Sequence, residues 1–264
     1  MLTRILTAIV ALLIFVPILV WGGSIGVSAA FAVICGISVF EMLGCCGLRK
    51  HYHITVPSIS LCALAVIIPL LETLGCSYGG FGVGTVLLVG VLYYAVVSVF
   101  SHKSIDPDRL FMALALLLYV TAGFYSVAFV YDNIGIYVLV YILLISWGTD
   151  TFAYFTGMAF GKKKLCPSIS PKKTVAGAIG GTIGGGLLGC LLIYFLDGHH
   201  AFMYFAIPLS VLSQLGDLAA SVIKRKFGVK DYGKLFPGHG GMLDRFDSVI
   251  AVAIATYVIS LFLV

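Results

Sequence analysis

Nine stretches of about 20 mostly apolar residues follow one another along the chain, at 5–22, 24–47, 55–75, 80–100, 110–130, 134–158, 174–196, 201–223 and 246–264. An α-helix rises about 1.5 Å per residue, so about 20 apolar residues match the hydrocarbon core of a bilayer. No stretch alternates apolar and polar residues as a membrane strand does, which argues against a β-barrel. The spans use most of the 264 residues and leave little for a soluble domain. The expected fold is an all-α integral membrane protein, a polytopic helical bundle of about nine transmembrane helices in one domain over 1–264. Composition agrees: 61% of residues are hydrophobic and only 10% charged, against about 25% charged in soluble domains. A soluble enzyme, a disordered chain and a disulfide-rich secreted module are all excluded. The seven cysteines are odd in number, form no Cys-x-x-Cys and read as small core hydrophobes.

Lys and Arg orient the spans, because they collect in cytoplasmic loops. With nine spans and a cytoplasmic N-terminus, all 16 fall on the cytoplasmic side. The opposite loops, near 23, 76–79, 131–133 and 197–200, contain none. The expected location is the cytoplasmic membrane, multi-pass, with N-terminus and active site on the cytoplasmic side. Two loops concentrate the charge, 159–173 and 224–245. Topogenic signalling accounts for their sign but not for the acids beside them.

Of the 11 acidic residues, Asp106, Asp108, Asp132, Asp197 and Glu72 fall in loops or at a helix end and are expected to face water. Asp150 and Asp217 fall within spans. Asp217 precedes Lys224 by seven residues, about 10 Å along a helix. An ionised carboxylate in hydrocarbon is costly, so such residues face a cavity, a metal or a partner. Asp244 and Asp247, three apart where the last span begins, share one helix face. Glu41 is the weakest member of the set, readable as a lone polar contact near a helix end. Carboxylates among basic residues at a water–lipid boundary suit a hard cation and phosphate chemistry on a lipid. They suit an internal salt-bridge network equally well, and the charge pattern alone leaves both open.

The segment from Ser213 reads SQLGDLAASVIKRKFGVKDYGKLFPGHGGMLDRFDS. Asp217, Ser221 and Lys224 put carboxylate, hydroxyl and ammonium on one helix face. Pro237-Gly238-His239-Gly240-Gly241 then precedes the last helix, where converging backbone N–H groups suit an anion. In order and spacing, Ser221, Lys224, Arg225, Lys230, Asp231, Pro237, His239, Gly240, Gly241, Asp244, Arg245 and Asp247 resemble the signature of the CDP-diacylglycerol synthases (phosphatidate cytidylyltransferases). A second similar block runs from Asp150-Thr151 through Ala153, Tyr154, Gly157 and Phe160-Gly161-Lys162 to Ile169-Ser170-Pro171-Lys172-Lys173-Thr174. The resemblance is strong over about 140–250, the catalytic region, whereas 1–130 agrees only as generic spans of unassigned role. Met158, Ala176 and Ala220 stand where family members often carry Arg, Glu and Glu.

The resemblance implies that CTP and phosphatidic acid give CDP-diacylglycerol and pyrophosphate. It implies Mg²⁺, with a second cation allowed, held by Asp217, Asp244 and Asp247, with Asp150 as a ligand or supporting residue. Lys172, Lys173, Lys224, Arg225 and Arg245 become phosphate contacts, with Ser221, Lys230, Gly240 and Gly241 also on the substrate side. His239 becomes either a hydrogen-bond donor to the leaving group or a residue holding the glycine turn. Gly177, Gly181, Gly185 and Gly189 form a small-residue stripe that lets helices approach closely. The residues favour an internal contact for it, while the resemblance implies a homodimer; no nucleic-acid partner is expected. Two rivals are a CTP-dependent lipid-alcohol kinase, which would need a base for its hydroxyl, and a transporter, which predicts acids through the full membrane depth and inverted repeats.

The one-sided basic residues generate a labelling test. In a background lacking the native cysteines, Cys at 104 and 168 should react with an impermeant thiol reagent from the cytoplasm, and Cys at 132 and 198 from outside. Mixed or reversed labelling would overturn nine spans in this orientation.

Overall fold

The computed structural model describes residues 2–76, 82–195, 200–236, 238 and 240–263. Helices α1 (Leu2–Trp21), α2 (Gly23–Cys45), α3 (Tyr52–Thr73), α4 (Val83–Ser101), α5 (Pro107–Asn133) and α6 (Ile136–Phe160) come first. A short hairpin follows, β1 (Lys164–Cys166) and β2 (Ser170–Thr174), and then α7 (Val175–Tyr194). A 3₁₀ turn (His200–Phe205) leads into α8 (Ala206–Lys226), and α9 (Leu243–Leu263) ends the described chain. Among the described residues, eight helical segments are long and apolar enough to cross a bilayer. The remaining apolar segment is Leu12–Trp21, within α1. The polytopic all-α expectation therefore holds. Among the described residues the hairpin is the one β element, outside that expectation, and it lies mostly in the basic loop 159–173.

The chain packs as two units, one of Met1–Asn133 with Asp231–Arg245, the other of Ile134–Lys230 with Phe246–Val264. In the first, α2, α3 and α5 pack on one another, and α4 lies against α3 and α5. Tyr94 and Ser58 share a buried hydrogen bond of 2.9 Å between α4 and α3. Pro107 opens α5, where its missing N–H costs nothing. The carboxylate of Asp106 accepts from the Asp108 N–H at 3.1 Å and caps that end. Asp106, Asp108 and Glu72 are exposed, as expected. Asp132 is a correction. It sits in the last turn of α5, partly buried, and accepts from Ser28 Oγ at 3.2 Å. A carboxylate can replace its water shell with hydroxyl donors, which composition does not reveal. Asp197 lies outside the described residues. The seven cysteines are free, and Cys35, Cys46 and Cys62 are buried, whereas Cys76 is exposed beyond the end of α3.

In the second unit α6 and α7 make the most extensive contact. The glycine stripe lies in it. A Cβ at Gly181 would come within 2.8 Å of Ala153 Cβ and 2.9 Å of the Thr149 carbonyl. One at Gly189 would come within 2.8 Å of Ile145. The stripe is therefore an internal contact. The opposite face carries Ile179, Ile183, Leu187 and Leu191, each more than half exposed and suited to lipid. Polar ties cross the same helices. Thr149 and Ser210 hydroxyls lie 2.6 Å apart, Ser210 Oγ donates to the Gly181 carbonyl at 3.2 Å, and Gln214 Nε2 donates to the Ala178 carbonyl at 3.0 Å. Gly216 gives α8 the same close approach to Ala251 of α9.

Because the Gly181 contact is with backbone as well as side chain, the neighbour cannot simply rotate away. Gly181→Val should cost about 1–3 kcal/mol by overpacking and lower the thermal midpoint in detergent by several degrees. Ile183→Val, on the lipid-facing side, should leave the midpoint nearly unchanged. Equal midpoints for the two variants would overturn the assignment of faces.

Candidate active site

Three helices of the second unit each deliver one carboxylate: Asp150 from α6, Asp217 from α8 and Asp247 from α9. Asp150 and Asp217 both lie within electrostatic range of Asp247. Two lysines meet them. Lys173 Nζ, on β2, is 2.7 Å from Asp217 Oδ2, with both side chains about a quarter exposed. Lys224 Nζ, on α8, is 3.5 Å from Asp247 Oδ2, and both residues are at least nine-tenths buried. Ser248 Oγ lies 3.5 Å from Asp150 Oδ2, and the Ser248 N–H donates to Asp247 Oδ1 at 2.9 Å. The cluster holds one more carboxylate than ammonium.

A cavity of about 440 Å³ opens on Asp150 and Asp217. Its lining includes Lys172 and Lys173 on β2, Lys164 on β1, Tyr154 and Met158 on α6, and Gln214 on α8. The hairpin makes this wall. Lys164 pairs with Thr174 and Cys166 with Ser170, and Thr174 then caps α7 by accepting from the Gly177 N–H at 3.1 Å. Gly157 and Gly161 leave space for the Thr174 side chain, so α6 can turn directly into the hairpin. Met158 gives the cavity wall an uncharged, exposed side chain.

Arg225 is engaged elsewhere. Its Nε donates to the Ile169 carbonyl at 3.4 Å and its Nη1 to the Val229 carbonyl at 3.1 Å, stapling the end of α8 to the hairpin turn. Ser221 is partly buried, and Lys172, Lys230 and Arg245 are exposed. His239 and Pro237 lie outside the described residues.

The glycine-rich segment belongs to the first unit, and several of its amides are already bonded within the chain. Asp244 Oδ2 accepts from the Tyr232 N–H at 2.8 Å and the Gly241 N–H at 2.9 Å. Glu41 Oε2, from α2, accepts from the Leu243 N–H at 3.0 Å. The Phe236 N–H donates to the Gly240 carbonyl at 2.9 Å, closing a turn in which Gly238 and Gly240 have φ of +79° and +86°. The anion cradle expected at the start of α9 thus has two of the chain's own carboxylates in it. Glu41, the weakest candidate in the sequence, is part of this arrangement. An acid inside an apolar span is the one trace of it in the sequence.

Against known proteins, the model of the cytidylyltransferase family matches residues 2–263. The chain belongs to this family. It is 38% identical over 255 residues to the phosphatidate cytidylyltransferase of Staphylococcus haemolyticus, covering 94% of this chain and 95% of that protein. Proteins of the same name from Staphylococcus epidermidis and Staphylococcus aureus are each 37% identical over the same shares. Membership of the cytidylyltransferase family makes this chain a nucleotidyltransferase, an enzyme built into a multi-pass membrane protein. Among the described residues, no group of three or more His, Cys, Asp or Glu side chains is already closed into a metal cage.

The buried Lys224–Asp247 pair yields a double-mutant test. Removing one partner of a buried pair strands the other charge at a cost of about 3–5 kcal/mol, whereas replacing both is often close to neutral. Lys224→Met should therefore lower the thermal midpoint more than Lys224→Met with Asp247→Asn. A double variant less stable than the single one would show that a stranded Asp247 charge is not what the single change costs.

Proposed function

We propose that this enzyme transfers the cytidylyl group of CTP to phosphatidic acid, releasing pyrophosphate and forming CDP-diacylglycerol. The observation that carries the reading is the near full-length match to proteins named phosphatidate cytidylyltransferase. The cavity lined by both carboxylates and lysines supports it. A phosphate oxygen of the lipid attacks the α-phosphorus of CTP, the bond to the β-phosphate oxygen breaks, and pyrophosphate leaves. The nucleophile is already anionic at neutral pH, so no strong general base is needed, and alignment with charge neutralisation carries the rate.

The donor set fits Mg²⁺, because carboxylate oxygens in a polar pocket are its preferred protein ligands, completed by water and substrate phosphate. Asp217 and Asp247 would hold the ion, with Asp150 beside them; when bound, it supplies charge neutralisation for the triphosphate. Asp244, expected as a third ligand, is given the task of holding the loop through Oδ2. Lys172 and Lys164 on the cavity wall bind phosphate oxygens, and exposed Arg245 is available to a second phosphate. Lys173 and Lys224 hold Asp217 and Asp247 in place and balance their charge. Arg225 fixes the hairpin that carries Lys172. The cytoplasmic placement of the site rests on the one-sided Lys and Arg. A homodimer, if formed, uses faces other than the glycine stripe.

Purified protein supplied with CTP and Mg²⁺ should release pyrophosphate only when phosphatidic acid is present. Pyrophosphate release without the lipid, or phosphorylation of a lipid alcohol instead, would overturn the reading. Asp217→Asn should nearly abolish transfer while its thermal midpoint without ligand stays close to wild type. Mg²⁺ with CTP should stabilise wild type by mass action and the variant much less. An equal ligand-induced shift in both would place Asp217 outside the metal–nucleotide site.

A further inference from the structure

Glu41 lies on α2, about 200 residues before the segment that it touches, and is only 9% exposed. Its Oε2 accepts from the Leu243 N–H, the first residue of α9, and the neighbouring Met242 N–H also bonds to the carboxylate. Gly233 and Gly241 crowd the same carboxylate from two sides of the loop. A Cβ on either would collide with its oxygens, so both positions must be glycine for the carboxylate to enter. Asp244 ties the loop from inside through the Tyr232 and Gly241 amides. Glu41 is thus the tie that reaches this loop from a distant helix, and it fixes where α9 starts. One turn further along α9 stands Asp247.

We propose that Glu41 is a positioning residue for cytidylyl transfer, holding the glycine-rich segment and the first turn of α9, which carries Arg245, in place. The inference rests on the proposed function and adds to it a residue in the N-terminal half, where the family signature contains none. Glu41 acts through hydrogen-bond acceptance at a fixed reach, not through its charge on substrate. That distinction is measurable. Gln keeps the length and one acceptor oxygen, whereas Asp keeps the charge but falls one methylene short of the Leu243 amide.

The test measures turnover per folded molecule for the full-length protein in detergent with Glu41→Gln, Glu41→Asp and Glu41→Ala. Glu41→Gln should stay within about threefold of wild-type kcat, while Glu41→Asp and Glu41→Ala should fall by at least about tenfold, as expected when reacting groups are displaced by an ångström or so. The KM for CTP should rise less than kcat falls, because Lys164 and Lys172 on the cavity wall lie in other segments. Hydrogen exchange gives a second readout. Peptides covering 231–245 should exchange faster in the Asp and Ala variants than in wild type and the Gln variant. Higher turnover with Asp than with Gln would show that the charge, not the reach, matters and would overturn the proposal. So would wild-type turnover in Glu41→Ala. A wild-type protein that makes no CDP-diacylglycerol would instead overturn the proposed function, and this role with it.

Discussion

The architecture of the second unit depends on how closely α6 and α7 approach. Glycines on α7 face Thr149 and Ala153 on α6, and neither helix has room for a larger residue there. In hydrocarbon no hydrophobic force drives helices together, so close backbone contact and interhelical hydrogen bonds must do it. Because the α7 backbone is so near, Ser210 of α8 can reach both Thr149 of α6 and the Gly181 carbonyl of α7. Asp150 sits one residue after Thr149, so the packing that seats Thr149 also fixes where that carboxylate emerges. The cavity inherits its shape from this contact, with Gly157 and Gly177 lining it together.

The carboxylates and lysines show how a polar site survives in such a fold. Asp217 and Asp247 each meet an ammonium group from a neighbouring segment. Such pairs are poor sources of net stability, since desolvation consumes most of the attraction. Their retention in an otherwise apolar bundle fits a site that must meet a charged substrate. The metal and salt-bridge readings that the charge pattern leaves open therefore need not exclude each other. The lysines hold Asp217 and Asp247 in place in the structure.

Much of the fold and of the site is legible in the sequence, for identifiable reasons. Spans follow from length and hydropathy, which membranes impose on every helix. Asp150, Asp217 and Asp247 stand out because acids in apolar runs are conspicuous. The stripe on α7 reads as a close contact, and the choice of partner between α6 and a second chain comes only with the fold. Other features leave weaker traces. The hairpin at Lys164–Thr174 is too short to produce a period-two pattern. The resemblance makes Arg225 a phosphate contact, and local sequence does not show that its Nε and Nη1 donate to two backbone carbonyls. The glycine turn looks ready for an anion because local sequence cannot show that a glutamate from α2 already meets its amides.

The hairpin carries a consequence for how this region tolerates change in length. Lys172 and Lys173 are adjacent on β2, so their side chains leave opposite faces of the strand. Lys173 turns to Asp217 and is partly buried, while Lys172 is exposed. A strand that slips by one residue exchanges its two faces. Deleting a single residue from the turn between Cys166 and Ser170 would keep both lysines in the chain and leave the net charge unchanged, yet a slip of β2 by one residue would turn Lys173 away from Asp217. Loops of membrane proteins commonly accept small insertions and deletions; this one has the indel sensitivity of a reading frame.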